Sequence, residues 1–329
     1  MTVLFSVFLL TLLVITAIAA VQSRNLFVSV MLLGIFSLLI AANFLLLDAA
    51  DVALTEAAVG AGISTVLFLG ALALTFEREH RPTPHRWLSL AVVFAATLVV
   101  LYATFDKPKF GDPGAPVQVH VAPWYIEKTP EVIDVPNIVT AVLASFRGYD
   151  TLGEVFVVFT AGIGVLFLLS ASHGHAAQRR PHNGDESKIG LRNDLIPRVV
   201  GRLLVPFILL FGLYVQFHGD YGPGGGFQAG ALIAAAVILF ALVEGEERTL
   251  EAIPRGALLA LMVSGAMLYG LVGVAGIFLG GEFLNYSVLA DDPIAGQHLG
   301  IILIEAGVGL TVTGVLLSIF HAFAARDRF

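Results

Sequence analysis

The stretch VALTEAAVGAGISTVLFLGALALT, Val52–Thr75, indicates the fold class, and Glu56 is its one charged residue. A run of roughly 20 apolar residues is long enough to cross a bilayer as a helix. Eight further runs have the same character: Val3–Val21, Leu26–Leu47, Trp87–Phe105, Leu152–Ser170, Val199–Phe217, Phe227–Val243, Gly256–Gly280 and His298–His321. They do not alternate apolar and polar residues as β-barrel strands do. We therefore predict an all-α, polytopic integral membrane protein with about nine transmembrane helices.

Composition supports this fold class and excludes several kinds of function. The 329 residues have a mean hydropathy of +0.88, with 57% hydrophobic and 13% charged residues. The absence of cysteine excludes disulfides, iron–sulfur clusters and thiolate metal sites. The histidines lie in loops or near span ends, so paired haem ligands are not expected. We predict no redox cofactor, leave a metal site open, and expect no nucleic acid partner because the net charge is −7 without a basic run.

The distribution of basic residues predicts the orientation in the membrane. Most of the 18 lysines and arginines lie in alternate loops, and the exceptions are Lys107, Lys109, Lys128 and Arg147. Loops that carry an excess of Lys and Arg remain in the cytoplasm. The N-terminus is therefore expected outside the cell and the C-terminus in the cytoplasm.

Three segments interrupt the run of spans. Asp106–Pro136 is polar and holds six prolines, which predicts an external loop without regular helix. Asn137–Phe146 is apolar but too short to span, which predicts an interfacial or re-entrant helix. The polar segment 172–196 predicts a cytoplasmic linker that separates a membrane domain at 1–171 from a second one at 197–329.

Three carboxylates lie inside predicted spans, at Glu56, Glu154 and Glu305, and no lysine or arginine lies deep in any span. Because an ionisable group is costly in hydrocarbon, it usually faces a protein interior, a partner or a water-filled path. We predict that these residues contribute to an ion or proton path. Two alternatives remain open: Glu56 pairs with a polar group on another helix, or Glu154 forms a capping box with Thr151.

Three further residues are candidates near the outer ends of the spans. His298 precedes Glu305 by two helical turns on the same face, which suggests an entry for protons or ions, or a packing face with one polar pair. His218 and Asp220 belong to the glycine-rich segment His218–Gln228, which joins two spans. Either the two side chains form a pair that faces the ion path, or they are ordinary loop residues in contact with solvent. The segment lacks the lysine of a phosphate-binding loop.

The remaining polar features do not indicate an enzyme. Glu244, Glu246, Glu247 and Glu251 form an acidic run that is expected to be a solvated cytoplasmic loop. No nucleophile–base pair and no metal-ligand spacing is recognisable.

Two motifs of the second half resemble a known family. FGLYVQFHGDYGPGGGFQAG (Phe211–Gly230) and EAGVGLTVTGVLLSIF (Glu305–Phe320) resemble MrpB (MnhB) of the Mrp (Mnh) multisubunit Na⁺/H⁺ antiporters. In the first half, DVALTEAAVGAGISTVLFLGAL (Asp51–Leu72) and NIVTAVLASFRGYDTLGEVFVV (Asn137–Val158) resemble the C-terminal extension of the large MrpA protein. Related MbhD- and MbhE-like segments occur in membrane-bound hydrogenases and the complex I family. The chain thus resembles an MrpA tail fused to MrpB.

The resemblance implies a subunit of a Na⁺/H⁺ antiporter in the bacterial cell membrane, with MrpA, MrpC, MrpD, MrpE, MrpF and MrpG as partners and Na⁺ and H⁺ as the ions. It implies that the partner MrpA ends early, and that Glu56 and Glu154 match acidic residues of the family. It implies secondary transport and not an enzyme. The lack of a lysine in any span and of inverted repeats predicts that the chain transports nothing alone.

Two other functions remain open from the sequence. The chain is either a membrane-arm subunit of a hydrogenase or complex I-like redox-driven pump, or a purely structural scaffold between antiporter subunits.

Overall fold

A computed structural model of the protein describes residues 2–75, 78–79, 86–109, 111–171 and 195–326. Within these ranges nine helices are long and apolar enough to cross a membrane, which confirms the predicted fold class. We number the α-helices in chain order: α1 Thr2–Gln22, α2 Leu26–Leu46, α3 Ala50–Ala73, α4 Arg86–Phe105, α5 Ala122–Val132, α6 Ile138–Thr140, α7 Gly148–Ala171, α8 Leu195–His218, α9 Gly226–Glu244, α10 Glu246–Ala252, α11 Arg255–Phe278 and α12 Pro293–Arg326.

The third span changes its helix type at Glu56. It is α-helical over Ala50–Thr55, a π-helix over Glu56–Ile63, and α-helical again over Ser64–Ala73. At the end of the π-helix the N–H of Ser64 donates to the carbonyl of Val59, five residues earlier. Such π segments are frequent at functional sites. The sequence predicted one uninterrupted span, because hydropathy carries no information about helical pitch.

The prediction that Asp106–Pro136 lacks regular helix is wrong. A π-helical turn, Val117–Val121, leads into α5. Pro123 lies in the first turn of α5, where no helical partner is needed for its missing N–H, and Pro130 lies near the end. Asp134, with φ of 58°, ends the helix by donating its N–H to the Thr129 carbonyl at 2.8 Å. The prolines therefore lie near the two ends of a helix and do not prevent it from forming.

The short helix predicted at Asn137–Phe146 is present. It consists of α6 and a π-helix over Ala141–Phe146. Its residues Ala141 and Ala144 are buried against the second half of the chain.

The protein core lies around α9 and α12. In their most apolar stretches 56% and 61% of the residues are buried, whereas none is buried in α4. A Cβ on Gly230 would lie 2.8 Å from the carbonyl oxygen of Gly309, so the two helices meet at backbone distance. The outward apolar faces of α1, α2, α4 and α8 remain available to lipid or to other subunits.

The two predicted halves of the chain pack against each other. The buried hydroxyl of Tyr269 donates to the Gly148 carbonyl at 2.8 Å, and that of Tyr286 donates to the Ala144 carbonyl at 3.1 Å. Most of the linker predicted at 172–196 lies outside the described residues, and α8 already includes its last two positions.

Candidate functional site

Glu305 lies in α12, and its carboxylate is enclosed by the turn that connects α8 to α9. A Cβ on Gly219 would lie 3.2 Å from Glu305 Oε2, and one on Gly225 would lie 3.1 Å from Oε1. Gly225 also has a φ of 125°, a conformation that residues with a side chain rarely adopt. The glycines of this turn therefore let backbone approach a carboxylate. Because Gly225 is the N-cap of α9, the carboxylate also lies near the positive end of a helix dipole.

Asn137 and Thr140 hold the glycine-rich turn in place from the other half of the chain. The Asn137 side-chain amide donates to the carbonyl oxygens of Gly219 at 3.1 Å and Gly222 at 2.9 Å. It also lies 3.2 Å from the Asp51 carboxylate, and the Thr140 hydroxyl donates to the Gly219 carbonyl at 2.6 Å. The sequence analysis did not select Asp51, Asn137 or Thr140 as site residues. The one signal was Asn137 as N-cap of a short apolar helix, where its side chain accepts from the Val139 N–H.

Beside this turn is a cavity of about 570 Å³ that receives residues from both halves. Two of the predicted acids, Glu154 and Glu305, line it together, and Asp51 is a third carboxylate. The other polar residues of its wall that carry an oxygen are Thr55, Thr140, Thr151 and Gln228. Gln228 donates from its side chain to the Thr55 hydroxyl at 2.8 Å, which joins α9 to α3. The rest of the wall is largely apolar.

The cavity is not a ready-made cluster of metal ligands. Within the described part of the chain, no three His, Asp or Glu side chains come close enough to hold a metal ion. The same residues show no lysine or arginine paired with Glu305. A cation in the cavity would therefore be coordinated by one carboxylate at a time, and neutral oxygen atoms would supply its other ligands.

The alternative hypothesis, that Glu154 forms a capping box with Thr151, is wrong. The helix α7 begins at Gly148, so Thr151 lies inside it and not at its N-cap. The Thr151 hydroxyl instead donates to the Leu143 carbonyl at 2.8 Å. The Glu154 side chain is exposed at the cavity wall.

Glu56 does not line this cavity. Its carboxylate lies over Gly60 and beside Ser37 of α2, since a Cβ on Gly60 would meet the Glu56 carboxylate and would lie 2.8 Å from Ser37 Oγ. The structure thus places Glu56 in the π segment, facing α2, and separates it from Glu154 and Glu305.

His218 and Asp220 do not form the pair that the sequence left open. The His218 ring stacks on Tyr214, with 4.7 Å between ring centroids. Asp220 is half-buried, and burial raises the pKa of its carboxyl group, an effect that nearby His298 partly opposes. The Asp220 Oδ1 atom is buried without a hydrogen-bond partner among the described residues. The Nε2 atom of His298 lies 2.9 Å from the Ile133 carbonyl oxygen, to which it donates as the Nε2–H tautomer.

The acidic run at the opposite end of α9 is not a uniformly solvated loop. The Glu244 side chain is only 4% exposed and pairs with three arginines. Arg202 contacts both of its carboxylate oxygens, Arg198 lies at 3.5 Å, and Arg248 lies at 2.5 Å. Burial of a carboxylate at this position is possible because Arg198 and Arg202 are one turn apart on α8 and face it together.

Residues 196–318 match a family described as a domain related to the MnhB subunit of Na⁺/H⁺ antiporter. Residues 11–77 match MbhD and residues 85–178 match MbhE, two families described as subunits of MBH. The putative antiporter subunit mnhB2 of Staphylococcus aureus (strain Newman) is 37% identical over 130 residues, which are 39% of this chain and 92% of that protein. The chain belongs to the MnhB family of antiporter subunits. The mnhB2 protein of Staphylococcus haemolyticus (strain JCSC1435) is 36% identical over 135 residues, 40% of this chain and 95% of that one.

Two solved structures resemble the MnhB-family chain over more of its length. A chain of the Mrp complex from Dietzia sp. DQ12-45-1b matches with a TM-score of 0.77 and 26% identity, over 96% of this chain and 34% of that chain. The present chain therefore spans about a third of the Dietzia chain. A chain of the archaeal membrane-bound sulfane sulfur reductase matches with a TM-score of 0.52 and 29% identity, over 71% of this chain and 95% of that chain.

These matches confirm the predicted arrangement, in which an MrpA-like segment is fused to an MnhB domain. They also confirm a multi-pass protein of the bacterial cell membrane that is a subunit of a multisubunit Na⁺/H⁺ antiporter.

Proposed function

We propose that this subunit lines part of the cation path of the antiporter, with Glu305 as the carboxylate that binds Na⁺ and H⁺ in turn. The observation that supports the proposal most directly is the shared cavity. Glu154 and Glu305 come from different halves of the chain and line one space, together with Asp51. Small hard cations prefer oxygen ligands, and the carboxylate, hydroxyl and amide oxygens of this wall supply them.

The surroundings of Glu305 suit a group that exchanges its cation. The glycine turn and the N-terminus of α9 stabilise negative charge there without a fixed basic side chain among the described residues. A bound Na⁺ or a proton can therefore neutralise the carboxylate, and each displaces the other. Neutralisation is needed because an isolated charge in the membrane is costly.

The other predicted residues take subsidiary roles in this proposal. Asp220 and His298, which interact electrostatically near the start of α12, serve as an entry for protons in this proposal. His218 supports the turn by stacking on Tyr214. Glu56, which faces α2 and not the cavity, contributes to the path on a different side of α3.

The chain does not carry out exchange alone in this proposal. MrpA, MrpC, MrpD, MrpE, MrpF and MrpG are its partners, and those proteins supply the rest of the crossing. The exchange is secondary transport of Na⁺ and H⁺, with no bond made or broken, so the chain is not an enzyme. The domain at 1–171 and the domain at 197–329 act as one wall, with the N-terminus outside and the C-terminus in the cytoplasm.

Glu305→Gln tests the proposal in the complete antiporter complex, reconstituted in vesicles. Glutamine keeps the size and hydrogen bonding of the side chain but removes its charge. We expect Na⁺/H⁺ exchange to fall at least tenfold, equivalent to about 1.4 kcal/mol, while the complex assembles normally. Asp291→Asn, in an exposed loop near the start of α12, is the matched control and should exchange like the wild type. Wild-type exchange by the Glu305 variant would contradict the proposal and favour a structural scaffold.

A redox-driven pump is the second candidate, because the sulfane sulfur reductase chain is 29% identical to this one. In that case the purified complex would require an electron donor before it moved ions. We expect an imposed Na⁺ gradient alone to drive proton movement in vesicles. Ion movement that appears only when a donor is oxidised would favour the redox function.

A further inference from the structure

Buried polar atoms without a hydrogen-bond partner mark two places in the described residues, one near each end of α12. Asp220 Oδ1 marks the end near Glu305. At the other end, both ring nitrogens of His321 and the hydroxyl oxygen of Ser318 are buried without such a partner. Buried polar groups are almost always hydrogen-bonded to protein or to ordered water. This second group of atoms lies outside the cavity that contains Glu305 and therefore needs its own explanation.

The second place brings a histidine and a carboxylate together. His321 is 2% exposed, and its Nδ1 lies 3.6 Å from Oε1 of Glu246, the first residue of α10. Ser318 lies one turn before His321 on the same face of α12. A direct hydrogen bond is not made at this separation, and unsatisfied buried polar atoms are the places where ordered water is found. The His321–Glu246 separation and the buried Ser318 hydroxyl together mark a cluster of polar groups at this end of α12.

The charged groups near His321 come from several helices. Besides Glu246, the positive charge of Arg255, the first residue of α11, acts on its ring. Glu244, at the end of α9, is held by Arg198, Arg202 and Arg248. The part of α3 that packs against this end, Ser64–Ala73, carries no titratable side chain. Arginine stays charged at all relevant pH values, and histidine changes its charge near neutrality.

We propose that Glu246, Ser318 and His321 form a hydrated proton-binding site at the end of α12 opposite to Glu305. The proton comes from water, binds a ring nitrogen of His321, and returns to water or passes to the Glu246 carboxylate. His321 lies about 24 Å from Glu305 along the helix, at 1.5 Å per residue, so the two sites face opposite sides of the membrane. The site's part in exchange rests on the proposed function, whereas its hydration does not.

Hydration is tested by labelling, because the natural chain has no cysteine. Ser318→Cys is nearly isosteric and is made in the complete complex, which is treated with a small water-soluble methanethiosulfonate. The control is Val315→Cys, since Val315 is 2% exposed in an apolar cluster on the previous turn. We expect the cysteine at 318 to react at least tenfold faster. Equally slow reaction at both positions would overturn the proposal.

Proton binding is tested with His321→Gln, compared with Glu251→Gln, which changes an exposed acid of α10. Removal of the imidazole should shift the pH midpoint of Na⁺/H⁺ exchange by about one unit, and the Glu251 variant should keep the wild-type profile. An unshifted midpoint for His321→Gln, or a loss of assembly with slow labelling at 318, would overturn the proposal. Fast labelling at 318 together with normal exchange by Glu305→Gln would instead reject the proposed cation path alone.

Discussion

Glu305 and Glu244 lie in the same pair of packed helices, yet their surroundings are opposite. Glu244, at the end of α9, is paired with three arginines. Glu305, in α12, is enclosed by glycine backbone and lines a cavity, and no basic side chain pairs with it in the described ranges. A buried carboxylate with permanent positive partners is fixed, because removal of either side leaves an uncompensated charge. In the proposed function, a carboxylate without such partners is neutralised by a mobile cation or a proton. The comparison therefore distinguishes an acid held by three arginines from one that has no fixed basic partner in the described ranges, and the proposed cation path requires an acid of the second kind.

Among variants that change the surroundings of the two acids, Gly225→Ala is expected to have the largest effect on exchange. The added Cβ would lie 3.1 Å from Glu305 Oε1 at a φ of 125°, so it both strains the turn and crowds the carboxylate. Gly280→Ala is the matched control, because Gly280 has a φ of 88° but open space around it. Both variants carry a backbone cost of about 1–3 kcal/mol. We expect at least tenfold slower Na⁺/H⁺ exchange in vesicles for Gly225→Ala and near-normal exchange for Gly280→Ala. Equal rates would mean that contact with Glu305 is unimportant.

The smallest effect on exchange is expected from Glu244→Gln. This change leaves three arginines near one neutral side chain, so the assembled complex should melt at a lower temperature and be recovered in lower yield. Per assembled complex, the exchange rate should stay within about twofold of the wild type, a difference of roughly 0.4 kcal/mol. Glu251→Gln, which changes an exposed acid, should alter neither property. Slow exchange by a fully stable Glu244→Gln complex would remove the distinction between the two acids.

The sequence predicted much of the fold because hydropathy reports burial in lipid directly. Each of the nine apolar runs corresponds to a long helix in the described ranges, and Glu154 and Glu305 could be selected as intramembrane acids before their shared cavity was known. The π segment at Glu56 was not predictable, since an apolar run has the same hydropathy whether it forms an α-helix or a π-helix.

The missed residues depend on contacts between distant parts of the chain. Asp51, Asn137 and Thr140 join the site only because the α8–α9 turn folds against the first half. Asn137 alone offers a local signal, as a helix N-cap. The pairing of Glu244 was misjudged as solvation because acidic runs usually lie in water. The one-turn spacing of Arg198 and Arg202 was a usable sign that a carboxylate faces them.

Carbodiimide labelling of the assembled antiporter tests whether Glu305 binds H⁺ and Na⁺ in turn, because a hydrophobic carbodiimide attaches to protonated carboxyl groups in apolar surroundings. The sites are read by mass spectrometry of the digested chain, with and without Na⁺ and with K⁺ as the control for ionic strength. We expect that Glu305 is labelled, that Na⁺ protects it and K⁺ protects it less, and that Glu244 is unlabelled in every condition. Labelling of Glu305 that Na⁺ leaves unchanged, or equal labelling of Glu244, would contradict the proposed role of Glu305.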